Sequence, residues 1–284
     1  MLTPIKLIEC PRDAMQGIHH FIPTELKVKY LNALLKVGFD TLDFGSFVSP
    51  KAIPQLRDTA EVLAGLELNT NTKLLAIIAN TRGAENAMKF PEIDQVGFPF
   101  SISETFQLRN TNSGIEDSLI TVENILNLCD QHNKEAVIYL SMGFGNPYGD
   151  LWNTEIVAKW ADRLISIGAR ILSVADTTGS STDISIREIM PVLIKKYPDT
   201  EIGVHLHSKP DESISKINAA FESGCRRFDS ALLGFGGCPM ADDNLTGNIA
   251  TETLVHALEQ KTGSLGIDKV AFEFAQKMAS GIFL

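Results

Sequence analysis

The strongest constraint on how this chain can fold is a two-beat rhythm, a short apolar run followed by an amphipathic helical stretch, repeated along its length. Residues 5–10 read as a strand. Residues 24–37 read as a helix, because Leu26, Tyr30, Ala33, Leu34 and Val37 return at helical spacing, with Thr24 as expected N-cap and Gly38 as expected stop. The rhythm continues with strands and helices at 41–45 and 51–64, 74–79 and 81–89, then 95–98 and, after a long loop, 115–132. It resumes with 136–143 and 155–167, 171–176 and 184–196, and 202–207 and 212–223. The last pair is 227–233 and, across a glycine-rich loop, 248–261, followed by a terminal helical stretch at 269–278. Strict alternation implies a parallel sheet with right-handed crossovers. Eight repeats favour a closed TIM (β/α)8 barrel with a C-terminal helical extension over an open doubly wound sheet. No Pro/Gly/Ser-rich linker or charge block interrupts the pattern, so residues 1–284 are expected to form one barrel domain.

Composition narrows the class. A chain of 284 residues that is 44% hydrophobic and 21% charged can bury a large core without staples. Thirty-five acidic residues stand against 25 basic ones, and no Lys/Arg-rich run exists, which argues against a nucleic-acid binder. Cys10, Cys129, Cys225 and Cys238 are far apart and form no C-x-x-C pair, which points to a reducing compartment. No apolar run approaches the roughly 20 residues of a membrane helix. The first strand begins too close to Met1 for a targeting peptide, so a cytoplasmic location is expected.

A barrel carries its chemistry at the C-terminal ends of its strands. The first strand runs into Arg12-Asp13, which could be a simple ion pair, or a hard oxygen ligand beside a fork of oxyanion donors. The seventh ends in His205-Leu206-His207, whose two imidazoles share one side of a strand. Such a pair could satisfy backbone carbonyls or bind a metal. After the eighth strand, Gly234-Phe235-Gly236-Gly237-Cys238-Pro239 could be a connector or a closing lid. Asn248 follows it. Asp13, His205, His207 and Asn248 together offer oxygen and nitrogen but no thiolate, a set suited to six-coordinate Mg2+ or Mn2+ rather than tetrahedral Zn2+.

Five segments carry a resemblance to a known family: Pro11-Arg12-Asp13-x-x-Gln16, Ser46-Phe47-Val48-Ser49-Pro50-Lys51, His205-x-His207, Gly236-Gly237-Cys238-Pro239 and Gly247-Asn248-x-Ala250-Thr251-Glu252. In order and spacing they resemble the 3-hydroxy-3-methylglutaryl-CoA (HMG-CoA) lyases of the DRE-TIM metallolyase superfamily, over nearly the whole chain. The second and fourth segments point to the lyases rather than to their synthase relatives. The resemblance implies metal-dependent cleavage of an acyl-CoA substrate to acetoacetate and acetyl-CoA, as in leucine degradation. It implies Asp13, His205, His207 and Asn248 as metal ligands, and Asp13 or His205 as general base. Arg12 would stabilise the enolate oxygen, Cys238 would assist proton transfer from the lid, and Gln16, Asp43 and Asp176 would line the substrate site.

This sequence departs from the family pattern at Asp43, where Glu is usual, at Ser208, where Asp is usual, and at Ala14-Met15 and residues 17–19. The loop before Asn248 is one residue longer than usual. The alternative reading is a related acyl-CoA-dependent synthase or aldolase, which would usually add segments beyond the barrel; a catalytically silent barrel would lack the ligands or Arg12. A helix-coated barrel is also compatible with a homodimer.

Overall fold

Eight parallel strands close on themselves, each bonded to its neighbour in sequence and the last to the first. A computed structural model describes residues 4–237 and 246–284, and Cys238 lies outside that range. The strands are β1 (Lys6–Glu9), β2 (Thr41–Ser46), β3 (Lys73–Ile77), β4 (Gln95–Ser101), β5 (Glu135–Ser141), β6 (Ile171–Ala175), β7 (Glu201–His205) and β8 (Arg227–Ser230). Between and after them come α1 (Pro11–Gln16), α2 (Thr24–Leu35), α3 (Thr59–Ala64), α4 (Thr81–Ala87), α5 (Glu104–Thr111), α6 (Ile115–His132), α7 (Thr154–Ser166), α8 (Asp183–Lys196), α9 (Ser213–Glu222), α10 (Thr251–Thr262) and α11 (Lys269–Phe283). This is the TIM barrel that the alternation implies, with α11 as its C-terminal extension. No helix among the described residues is long and apolar enough to cross a membrane.

Strand alternation divides the core in two. Leu74, Ala76, Phe98, Ile138, Leu140, Leu172, Val174 and Val204 belong to the large cluster between sheet and helices. Their sequence neighbours Leu75, Ile77, Val137, Tyr139 and Ile171 form a separate small cluster inside the barrel. Beside a further small cluster of Ile8, Cys10, Ala14 and Ala231, the interior carries polar side chains. Asp43, Ser173, His205, Arg227 and Asp229 are all buried strand residues on or beside β2, β6, β7 and β8. Gly203 makes room for this charge, since a Cβ there would lie 2.8 Å from Cγ and Cδ of Arg227. The long Arg227 side chain therefore crosses β7 where that strand has no side chain.

Several boundaries differ from expectation for identifiable reasons. The stretch 51–64 is not one helix. Pro54 begins a separate 3-10 turn, Pro54–Leu56, before α3, as expected of a residue that cannot donate within a helix. Thr24 is not an N-cap. It is the first helical residue, and its hydroxyl donates to Asp58 at 2.7 Å. The expected long loop after β4 contains α5, capped by the Ser103 hydroxyl accepting from the Phe106 amide. The stretch 227–233 stops as a strand at Ser230, and α10 begins at Thr251 rather than at Asn248.

Glu9, at the end of β1, ties down both flanks of the segment after β8. Its carboxylate accepts from the Leu232 amide at 2.8 Å and the Thr251 hydroxyl at 2.6 Å. Burial pushes its carboxyl up to about 8 from an ordinary value of 4.5, against the pull of those two hydrogen bonds. The folded chain thus keeps a proton that the unfolded chain releases. The resulting stabilisation is complete below the unfolded value and is lost as pH rises through about 8. Glu9→Gln, an amide in place of the neutral acid, is expected to gain stability relative to the parent as pH rises through that window. Urea unfolding of both proteins near pH 5 and near pH 9 checks this, and parallel pH dependences would refute it.

Candidate active site

Pro11, at the first helical position, starts α1 immediately after β1. One turn of helix brings Arg12, Asp13 and Gln16 together. The Arg12 guanidinium donates to Asp43 from Nη2 at 2.6 Å and from Nε at 3.0 Å, and from Nη1 to Asp13 at 3.1 Å and to Gln16 at 2.9 Å. Gln16 completes the ring by donating to Asp13 Oδ1 at 2.7 Å. An arginine has five N–H groups. Two face Asp43 and two face Asp13 and Gln16, which leaves one Nη2 hydrogen without a partner among the described residues. Burial pushes the Asp43 carboxyl up to about 6 against the pull of Arg12. Burial would raise Asp13 too, but Arg12, the two histidines and Asn248 outweigh it and hold that carboxyl at about 2.

His205 is the last residue of β7, and its strand register sets it beside Asp229 of β8. Its Nδ1 lies 3.2 Å from Asp229 Oδ2. His207 is past the strand, contrary to the expected 202–207. It is held by an isolated antiparallel bridge to Asn248, flanked by the Ser208 amide donating to the Gly247 carbonyl at 2.9 Å. That bridge is what carries Asn248 into the site. The Asn248 amide donates to Asp13 Oδ2 at 2.6 Å and to the Phe235 carbonyl at 2.9 Å. Close approach here requires glycine, since a Cβ at Gly236 (φ +110) would lie 2.4 Å from the Asn248 amide nitrogen.

Asp13, His205 and His207 each offer a ligand atom within 4.8 Å of the others, and all three are buried. Both ring nitrogens of His207 and the side-chain oxygen of Asn248 are buried without a hydrogen-bond partner among the described residues. Such groups are costly to bury unpaired. Burial also pushes His207 down to about 4, which leaves its imidazole neutral with a lone pair to give. These four residues fit a divalent cation. Asp13, His205 and His207 border a cavity of about 230 Å3, with Arg12, Gln16, Asn110, Thr111, Ser141 and Thr177 also in its polar wall. Val48, Ile53, Ile77, Pro99, Phe106 and Tyr139 line it as an apolar wall.

Two residues expected at the substrate site, Asp43 and Asp176, do not line this cavity. Asp43 is fully buried against Arg12 and does not line the cavity. Asp176 also lies outside the lining. It accepts from the Ser181 hydroxyl at 2.5 Å and pairs with buried Lys216 at 3.6 Å. Lys216 in turn donates to the His207 carbonyl at 3.0 Å. Sequence reasoning missed Lys216, Ser173 and Asp229. Only the charged pair Arg227-x-Asp229, alternating within an apolar strand, could have signalled Asp229, since the other two look like ordinary helix and strand polar residues. Cys10 lies in the barrel interior, where burial and then the carboxylates of Asp229, Asp43 and Asp13 push its thiol well above the usual range.

The profile of a family described as HMGL-like matches residues 5–278. The chain belongs to the HMGL-like family. Its similarity to the hydroxymethylglutaryl-CoA lyase YngG of Bacillus subtilis is 32% identity over 250 residues, covering 88% of this chain and 83% of that one. It is 31% identical to a 3-hydroxy-3-isohexenylglutaryl-CoA/hydroxymethylglutaryl-CoA lyase of Pseudomonas aeruginosa, covering 93% of this chain and 88% of that one. The structure of an HMG-CoA lyase from Acinetobacter baumannii, in complex with coenzyme A and 3-methylmalate, superposes with a TM-score of 0.91 at 29% identity. That match covers 99% of this chain and 91% of the other.

In this HMGL-like barrel the Asp176–Lys216 pair braces the backbone that presents His207. Lys216→Met leaves the Asp176 carboxylate and the His207 carbonyl without the ammonium. Breaking one side of a buried pair costs about 3–5 kcal/mol. Chemical denaturation should show a loss of that order, and a loss within about 0.5 kcal/mol, typical of surface changes, would contradict the bracing role.

Proposed function

We propose that this protein cleaves HMG-CoA to acetoacetate and acetyl-CoA, using Mg2+ or Mn2+ held by Asp13, His205, His207 and Asn248. The observation that carries the reading is the convergence of unpartnered His207 and Asn248 atoms on Asp13 and His205, at the wall of a cavity that Arg12 also borders. Membership of the HMGL-like family, with HMG-CoA lyases among its relatives, supports the same reaction. On this reading the protein serves leucine degradation in the cytoplasm.

A bound divalent cation supplies Lewis acidity at the substrate hydroxyl and carboxylate oxygens. Asp13 or His205 takes the proton from the C3 hydroxyl. Asp13, held at about 2 and accepting from Arg12, Gln16 and Asn248, is the weaker base of the two. The C3–O bond becomes a carbonyl as the C2–C3 bond breaks, and the electron pair moves onto the thioester as an enolate. The uncommitted Nη2 hydrogen of Arg12 suits it to stabilise that enolate oxygen. Cys238 assists return of a proton to C2.

The apolar wall favours a second reading, in which C3 carries an alkyl group longer than methyl. The Pseudomonas relative named for an isohexenyl substrate supports it. The decisive assay loads purified protein with Mn2+ and follows acetoacetate release from HMG-CoA, with and without chelator. Chelator-sensitive release is expected, and no release where an authentic lyase works under the same conditions would refute the reading. Arg12→Gln should lower kcat by about 100-fold or more, because removing an oxyanion donor costs on that order, and should weaken the metal Kd by a smaller factor, because Asp13 loses its guanidinium partner. Equal losses in both would show that Arg12 acts through the metal site.

A further inference from the structure

His205 stands between two carboxylates, and only one of them belongs to the metal site proposed above. His205 is shared by two groups of closely spaced ligand atoms, one with Asp13 and His207 and the other with Cys10 and Asp229. Asp229 is fully buried within the barrel, one strand over from His205 and in direct register with it. A carboxylate only accepts, so the 3.2 Å approach of His205 Nδ1 to Asp229 Oδ2 requires the hydrogen on Nδ1. In the neutral ring the other nitrogen, Nε2, is then left with a lone pair for a cation.

Asp229 is itself held from two sides. The Ser173 hydroxyl donates to the same Oδ2 at 3.4 Å, reaching from β6 past Gly203, which is opposite Ser173 in the register and has no side chain to intervene. Arg227 lies over that glycine with its Nε 4.0 Å from Asp229 Oδ1, and its Nη1 donates to Glu201 at 3.0 Å. His207 has no carboxylate counterpart to this support, and neither of its ring nitrogens makes a hydrogen bond among the described residues.

We infer that Asp229 is a positioning residue that fixes the Nδ1–H tautomer and ring orientation of His205, so that the barrel presents Nε2 ready-made to the metal. His205 is thereby the preorganised imidazole of the site, and His207 the one oriented by coordination. The inference rests on the proposed metal site for its consequence, but the tautomer is a property of the protein without metal. Carboxylate–histidine partners of this kind typically tune metal affinity by about 10- to 100-fold.

Two measurements test it. In metal-free protein carrying 15N-labelled histidine, at a pH where the imidazoles are neutral, long-range 1H–15N correlations should show His205 with a pyrrole-type Nδ1 and a pyridine-type Nε2. Assignment comes from comparison with His205→Gln. A pyrrole-type Nε2 at His205 would overturn the inference, and this experiment needs no variant of Asp229 that must fold. By calorimetry with Mn2+, Asp229→Asn should raise the Kd by about 10- to 100-fold, because the amide can donate to Nδ1 and drive the hydrogen to Nε2. A folded Asp229→Asn protein with the parent Kd and only a lowered Tm would reduce Asp229 to a structural role. If the parent itself binds no Mn2+, the proposed metal site falls, while the tautomer still decides the positioning of His205.

Discussion

Arg12 is the interaction on which the site depends. One buried guanidinium serves two buried carboxylates, Asp13 and Asp43, from a helix of a single turn. Desolvating three charges is expensive, and the arrangement persists because nearly every donor and acceptor in it is matched. The planar fork matters. Its Nε and Nη2 edge faces Asp43 on β2 while Nη1 faces α1, so the guanidinium joins two elements with a geometry that an ammonium could not reproduce. Asp13 is thereby kept ionised beside His205 and His207, and one Nη2 hydrogen is left over.

Around that centre the barrel arranges charge by register. Parallel strands bring residues of equal height together, so His205 meets Asp229 without any loop being involved. Glycine at position 203 removes the side chain that would otherwise separate Ser173 and Arg227 from that pair. The aliphatic cluster of Leu75, Ile77, Val137 and Ile171 fills other parts of the interior. One side of the barrel can therefore be packed with hydrocarbon while another carries a connected polar network, which a uniformly apolar barrel interior would not allow.

The loops add what the strands cannot. His207 lies beyond β7 and Asn248 before α10, and an antiparallel bridge between them creates the second half of the ligand set. Lys216 supports that bridge from α9 and Glu9 supports its far flank from β1. Catalytic groups on loops are commonly positioned by a rigid scaffold in this way. Here the scaffold contacts are themselves buried polar and ionisable groups rather than apolar packing.

Sequence by itself determined the barrel, because eight alternations of period-two and period-3.6 patterning admit few other topologies. It also nominated Arg12, Asp13, His205, His207 and Asn248, because their chemistry fell at or after strands due to end, and the family resemblance added Gln16. The short helices were less legible: α1 and α5 are too brief to show a period, and Pro54 splits what looked like one helix. Only the tertiary structure decided which acidic residues face the cavity. Asp43 lies within β2 and Asp176 just past β6, and they pair with Arg12 and Lys216 rather than line the cavity. Asp229 stood out in the sequence only through the Arg227-x-Asp229 pair, and the pairing of β8 with β7 is what sets it against His205. The physical reason is that a side chain's partners depend on contacts across tens of residues, and those exist only once the sheet has closed.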